Sequence, residues 1–164
     1  MRGAWPGGPA GAATATARLV VAAPPELVWR RLTDWPAQTR WVPLTVVRRL
    51  PGPVGAVGER FSGRTGLGPL AFEDPMEVVS WRPPAEGRAG RCDLLKHGRL
   101  VRGGASIVVR GAGGGTSAVE WTESVSLVSA PLTRPFALPL RWATRLAFGR
   151  VLRAMAREVA AERA

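Results

Sequence analysis

Hydrophobic and polar positions alternate strictly along GGTSAVEWTESVSL, residues 114–127. Val119, Trp121, Glu123, Val125 and Leu127 fall on one face, and Ala118, Glu120, Thr122, Ser124 and Ser126 on the other. A period of two predicts a half-buried strand with the first set turned inward. Shorter runs of the same kind precede it. Apolar or alternating stretches at 44–50, 57–66, 70–81, 91–103 and 105–111 are separated by Pro51-Gly52-Pro53, Gly66 to Gly68, Pro83-Pro84, Gly103-Gly104 and Gly113-Gly114-Gly115. Short sequential strands joined by such turns predict an antiparallel meander. Pro75 inside the run 70–81 predicts a bulge or an edge position there, because proline cannot donate to a ladder.

Both ends of the chain depart from this pattern. ARLVVAAP, 17–24, reads as a strand. PPELVWRRLTD, 24–34, reads as a short helix, with proline in its first turn and Glu26 near its positive end. DWPAQTRWVP, 34–43, predicts a second short helix or turn that Asp34 caps and Pro43 ends. Residues 136–164 switch to helical spacing. Leu140, Ala143, Ala147, Val151, Met155 and Val159 form an apolar stripe widened by Phe148 and Leu152, and Arg141, Arg145, Arg150, Arg153 and Arg157 occupy the polar face. From 140 to 162 such a helix is roughly 35 Å long, enough to cross a whole sheet. Residues 1–15, rich in Gly, Ala, Pro and Thr without periodicity, are expected to be a flexible tail, and 16–164 a single domain.

One strand, two short helices, six strands and a long amphipathic helix resemble the Bet v 1-like, or START-like (SRPBCC), superfamily, in particular its bacterial polyketide cyclase/dehydrase and lipid-transport branch. The resemblance covers about residues 16–160. It is carried by element order and by PPELVWRRLTDWPAQTRW after the first strand, VGERF, MEVVSWRPP, GRLVRG and EWTESV. It implies an α+β helix-grip fold: a seven-stranded curved antiparallel sheet wrapped around the long C-terminal helix, with a ligand cavity between them. It also implies a polyketide-, lipid- or isoprenoid-like ligand. Fold does not fix function, and the superfamily contains both enzymes and carriers.

Composition adjusts this picture in three places. The chain has 164 residues, 46% hydrophobic and 21% charged, which suits one globular domain with a sizeable core. The net charge is +11, yet of 23 basic residues only Lys96 is a lysine, leaving 22 arginines. With no Asn, no Tyr and one isoleucine, that usage is the mark of a GC-rich genome, and it accounts for the choice of arginine but not for the whole excess of base. The single cysteine, Cys92, excludes an internal disulfide. The opening residues carry no export signal and no run reaches the length of a membrane span, so a cytoplasmic location is expected.

The candidate chemistry lies on the inward faces. Parity places Glu59 with Phe61, groups Phe72, Met76 and Val78, groups Ala105, Ile107 and Val109, and sets Trp121 beside Glu123. Two carboxylates on apolar faces either form an acid/base pair with raised pKa values or are held by arginines. His97, the only histidine, shares parity with Leu95 and Val101 and is a third acid/base candidate. Cys92 lies five residues before it, on the opposite face of a regular strand, so the two do not form a dyad. The expected ligand-binding set is Phe61, Phe72, Met76, Ile107, Trp121, Glu123, Phe148, Leu152 and Met155. No cofactor is expected, since one His and one Cys do not make a zinc site and the Gly-rich stretches 66–71 and 111–117 lack the context of a phosphate loop. No nucleic-acid-binding motif is present. Three readings remain: carrier of a hydrophobic small molecule, cyclase or dehydratase, and peripheral membrane or partner-binding protein using the arginine face of the last helix.

Overall fold

The computed structural model describes residues 13–99, 101–127 and 137–161, with the side chains of residues 13, 127 and 137–148 outside that description. Seven strands form one antiparallel sheet: β1 (Ala13–Val21), β2 (Thr45–Arg49), β3 (Arg60–Thr65), β4 (Phe72–Arg82), β5 (Gly90–His97), β6 (Val101–Gly113) and β7 (Thr116–Leu127). The order across the sheet is β1-β7-β6-β5-β4-β3-β2. Helix α1 (Pro25–Leu32) and a 3-10 turn (Trp35–Arg40) connect β1 to β2, and helix α2 (Ala137–Ala161) closes the chain. This is the helix-grip arrangement, a curled sheet around a C-terminal helix. No described helix is long and apolar enough to cross a membrane.

The meander forms because each strand buries one side against the helices. Val21, Val78, Cys92, Leu94, Ala105, Ile107, Val109, Val119 and Trp121 are buried from the sheet, and Val151, Leu152, Met155 and Val159 from α2. The arginines of this half of α2, Arg150, Arg153 and Arg157, are exposed, as the helical stripe predicts. The N-terminal half of the stripe (Leu140, Ala143, Ala147, Phe148) lies outside the described side chains. Helix α1 begins with Pro25 at its first position. At its other end Thr33 Oγ1 donates to the Trp29 carbonyl at 2.8 Å and Gln38 Nε2 to the Leu32 carbonyl at 3.0 Å, satisfying acceptors that the helix leaves open. The C-terminal half of α2 is tied to the 3-10 turn through Glu158, which accepts from Arg40 at 2.5 Å and from the Trp41 indole at 2.6 Å.

Four sequence expectations need correction. Strand β1 starts at Ala13, inside the expected tail, because Ala13–Ala15 pair with Glu123–Val125 of β7. Asp34 makes no side-chain cap. Strand β5 ends at His97 and β6 begins at Val101, so the chain turns before Gly103-Gly104, which lie within β6. Gly103 is required by packing there: at φ +138°, a Cβ on it would sit 2.0 Å from the Ser124 carbonyl oxygen. Pro75 is not at a bulge and β4 is an inner strand, so the expected edge position holds only locally. It lies one residue beyond the end of the β4–β5 ladder at Met76↔Lys96, where its missing N–H removes no bond to β5. The irregularity in β4 comes later, between Val78 and Ser80, and it turns Trp81 inward opposite Cys92.

Candidate functional site

The inner face of the sheet carries an ionic group among apolar side chains. On β4, Phe72, Asp74, Met76 and Val78 alternate inward. On β5 the inward set is Gly90, Cys92, Leu94 and Lys96. Lys96 is directly opposite Met76 on one side and Gly103 on the other. On β7 the inward set includes Val119, Trp121 and Glu123, and Glu123 is opposite Ala105 and Ala15. Glycine and alanine at these facing positions leave space for three long or polar side chains to converge.

Lys96 Nζ donates to Asp74 Oδ2 at 2.6 Å and stands 3.8 Å from Glu123 Oε1. It also lies 3.6 Å from the Met76 sulfur. All three charged residues are buried. Burial disfavours the ammonium, but the nearby carboxylates of Glu123 and Asp74 outweigh it and hold the Lys96 pKa above the ordinary lysine value. For Glu123 the balance falls the other way. Burial raises its pKa, Lys96 pulls it down, Asp74 raises it again, hydrogen bonding from Trp121 and Lys96 lowers it, and the net result is a carboxyl above its ordinary value. One ammonium shared by two carboxylates satisfies the nearer one first. Glu123 is therefore driven toward its protonated form, in which a carboxyl can donate a hydrogen bond. Asp74 Oδ1 is buried and has no hydrogen-bond partner among the described residues.

Most of the expected ligand-binding residues do line the inner face. Phe61, Ile107 and Trp121 are buried there, Phe72 and Met76 are half-buried, and Leu152 and Met155 are buried on α2. Phe61 stacks on Trp35, with ring centroids 4.3 Å apart and planes within 8°. The indole N–H of Trp35 is buried with no hydrogen-bond partner among the described residues. Phe148 lies outside the described side chains. Glu123 is where its parity placed it.

The other two acid/base candidates are elsewhere. His97 is exposed on the outer face, with Nε2 3.2 Å from Glu77 Oε2. The inward position of that strand belongs to its neighbour Lys96, because Leu94 rather than Leu95 faces the core. Glu59 is almost wholly buried, but its oxygens are taken by Arg49 Nε at 2.8 Å and the Gly55 backbone N–H at 2.7 Å. It fastens the 51–58 loop to β2 and has no contact with Glu123. Sequence reasoning missed Lys96 and Asp74. The available signal was the lysine itself, the one exception in a chain that otherwise uses arginine. Among the described residues no group of three or more His, Cys, Asp and Glu is placed to hold a metal ion.

Known proteins place this geometry in a family. A family model described as polyketide cyclase / dehydrase and lipid transport matches residues 12–160. A search of curated proteins found no match. Among solved structures, a START superfamily protein from Mycobacterium smegmatis is similar with a TM-score of 0.71 at 14% identity, over 91% of this chain and 99% of its own. The ZhuI aromatase/cyclase from a Streptomyces species gives 0.65 at 14% identity, over 89% and 92%. Norcoclaurine synthase from Thalictrum flavum gives 0.61 at 14% identity, over 93% and 97%. At such identities the structural likeness speaks for the fold, and the family model for descent. The fold is shared with a START superfamily protein, and the chain belongs to the polyketide cyclase / dehydrase and lipid-transport family.

Proposed function

We propose that this protein binds an apolar, polyketide- or lipid-like small molecule between the sheet and α2, with the polar end of the ligand at Asp74, Lys96 and Glu123. The observation that carries this reading is the convergence of three buried ionisable side chains on a face otherwise built from Phe61, Phe72, Met76, Ile107 and Trp121. A purely structural core gains little from such a group, because desolvating the charges offsets most of their attraction. A binding site gains orientation from it: apolar walls supply affinity and a few fixed polar groups set direction. The free acceptor on Asp74 and the indole donor on Trp35 are the groups that an occupant would satisfy. The family description and the aromatase/cyclase among the similar structures support the same ligand class.

A second reading is favoured by the placement of Glu123, buried 3.8 Å from Lys96 where desolvation raises its pKa. In a cyclase or dehydratase the walls would fold a reactive chain and Glu123 would hand a proton to a departing or enolising oxygen. Native mass spectrometry of the protein from its own host, followed by organic extraction, tests occupancy. A discrete co-purifying molecule supports the carrier reading. Glu123→Gln then separates the two: retained binding with lost turnover identifies an enzyme, and altered binding alone identifies a carrier. If neither extraction nor titration with apolar aromatic ligands reveals binding, the proposal fails.

A further inference from the structure

Three connections lie at the end of the sheet nearest Asp74, Lys96 and Glu123: residues 41–44 before β2, 66–71 between β3 and β4, and residues 98 and 99 after β5. The antiparallel order puts all three at the same end. Large aliphatic side chains project from the first two. Leu44 is 64% exposed, Leu67 69% and Leu70 87%, and Val46 beside them is 58% exposed. Leu44 is also the one described non-glycine residue with a left-handed backbone, at φ 56°. A bulky residue in that conformation is strained, and here the strain does nothing to bury the side chain. The Gly66 N–H donates to the Leu44 carbonyl at 2.9 Å, so the first two turns are joined and their leucines are presented together. Between them lies an open groove of about 400 Å³, lined by Trp41, Pro43, Leu44, Val46 and Leu67.

The charge carried by the turns themselves has one sign. The three turns contain no Asp or Glu. Arg64 is exposed and donates to the Gly68 carbonyl at 3.5 Å, with no carboxylate partner among the described residues. Arg99 is exposed on the third turn. The carboxylates around the turns are engaged: Glu73 accepts from Ser62 and Arg48, Glu158 from Arg40 and the Trp41 indole, and Asp74 from Lys96.

We infer that this tip docks on the surface of an anionic lipid bilayer, with Leu44, Leu67 and Leu70 entering the acyl layer and Arg64 and Arg99 facing the lipid phosphates. Leucines that project into solvent from two joined turns are placed for insertion into a fluid acyl layer, which accepts them without a complementary partner surface. Basic residues flanking an apolar insertion add attraction to an anionic leaflet. The net charge of +11 attracts the whole protein toward the same surface. This inference does not depend on the ligand proposed above, although docking here would bring the end of the sheet near Asp74, Lys96 and Glu123 toward the bilayer.

Sedimentation of the full chain with vesicles of phosphatidylglycerol and phosphatidylcholine in equal parts tests it. The wild type is expected to pellet with these vesicles, less with phosphatidylcholine alone and less at high salt. Leu67→Asp/Leu70→Asp is expected to weaken binding at least tenfold. Leu44→Gly is the sharper variant. Glycine relieves the left-handed strain, so folding is preserved while an inserting side chain is removed, and binding should fall severalfold. Absence of vesicle binding by the wild type overturns the inference. So does binding that the leucine variants leave unchanged, and so does leucine-dependent self-association in lipid-free ultracentrifugation, which would make the tip a contact between copies.

Discussion

Replacing Lys96 by Met tests the ionic group most directly. Methionine keeps most of the volume and removes the charge. Asp74 would lose its 2.6 Å partner, and Asp74 and Glu123 would then face each other across a buried space with no cation between them. Removing one partner of a buried ion pair costs about 3–5 kcal/mol, because the remaining charge stays desolvated. With a urea m-value of about 1–3 kcal/mol per molar for a small domain, the unfolding midpoint should fall by about 2 M. The loss should shrink as pH is lowered, since protonating the stranded carboxylates removes the unpaired charge. Adding Asp74→Asn to Lys96→Met should recover a large part of the loss, and a double-mutant cycle measures that coupling. The assay is urea unfolding followed by tryptophan fluorescence, which Trp121 beside Glu123 should report. A stability loss below about 1 kcal/mol at neutral pH, or a double variant no better than the single, would refute the placement of Lys96 as the charge that holds this group together.

Glu123→Gln should behave in the opposite sense. A carboxyl whose folded pKa is raised binds its proton more tightly in the native state. The wild type therefore loses stability as pH rises from the ordinary value of 4.5 through the raised folded value. The glutamine variant lacks that loss, so its stability relative to wild type should increase with pH in denaturation curves taken on both sides of the transition. Glu59→Gln should destabilise by about 1.5–3 kcal/mol, since it weakens charge-assisted bonds to Arg49 and Gly55, and chemical denaturation should show this without any change in ligand binding. His97→Ala should leave ligand binding unchanged in a fluorescence titration, because that ring lies on the outer face with Glu77. Cys92, whose thiol is pushed up first by burial and then by Asp93 and Glu59, should resist alkylation in the folded protein and react only on unfolding, as timed labelling would show.

Much of this protein is legible in its sequence because the physics involved is local. The alternation at 116–127 puts Trp121 and Glu123 inward without any knowledge of neighbours, and the helical stripe ending in Val151, Met155 and Val159 finds its buried face in the same way. Proline and glycine punctuation separates seven strands, although it misplaces the turn between the fifth and sixth. That turn was hidden because Gly103 looks like punctuation, and only the approach of Ser124 from β7 shows it to be a packing requirement.

The composition of the site was decided elsewhere. In DLLKH, Leu94 and Leu95 make both faces equally apolar, so parity alone cannot tell whether Lys96 or His97 points inward. Pairing with β4 and β6 settles it, setting Lys96 opposite Met76 and Gly103. Asp74 and Lys96 are 22 residues apart, and Glu123 is on a different strand again. The fate of Glu59 was likewise set by a partner ten residues away, Arg49 across the β2–β3 pair. Alternation shows which side of a strand is apolar. Which charges meet there depends on register between strands, which is fixed only when the sheet is assembled.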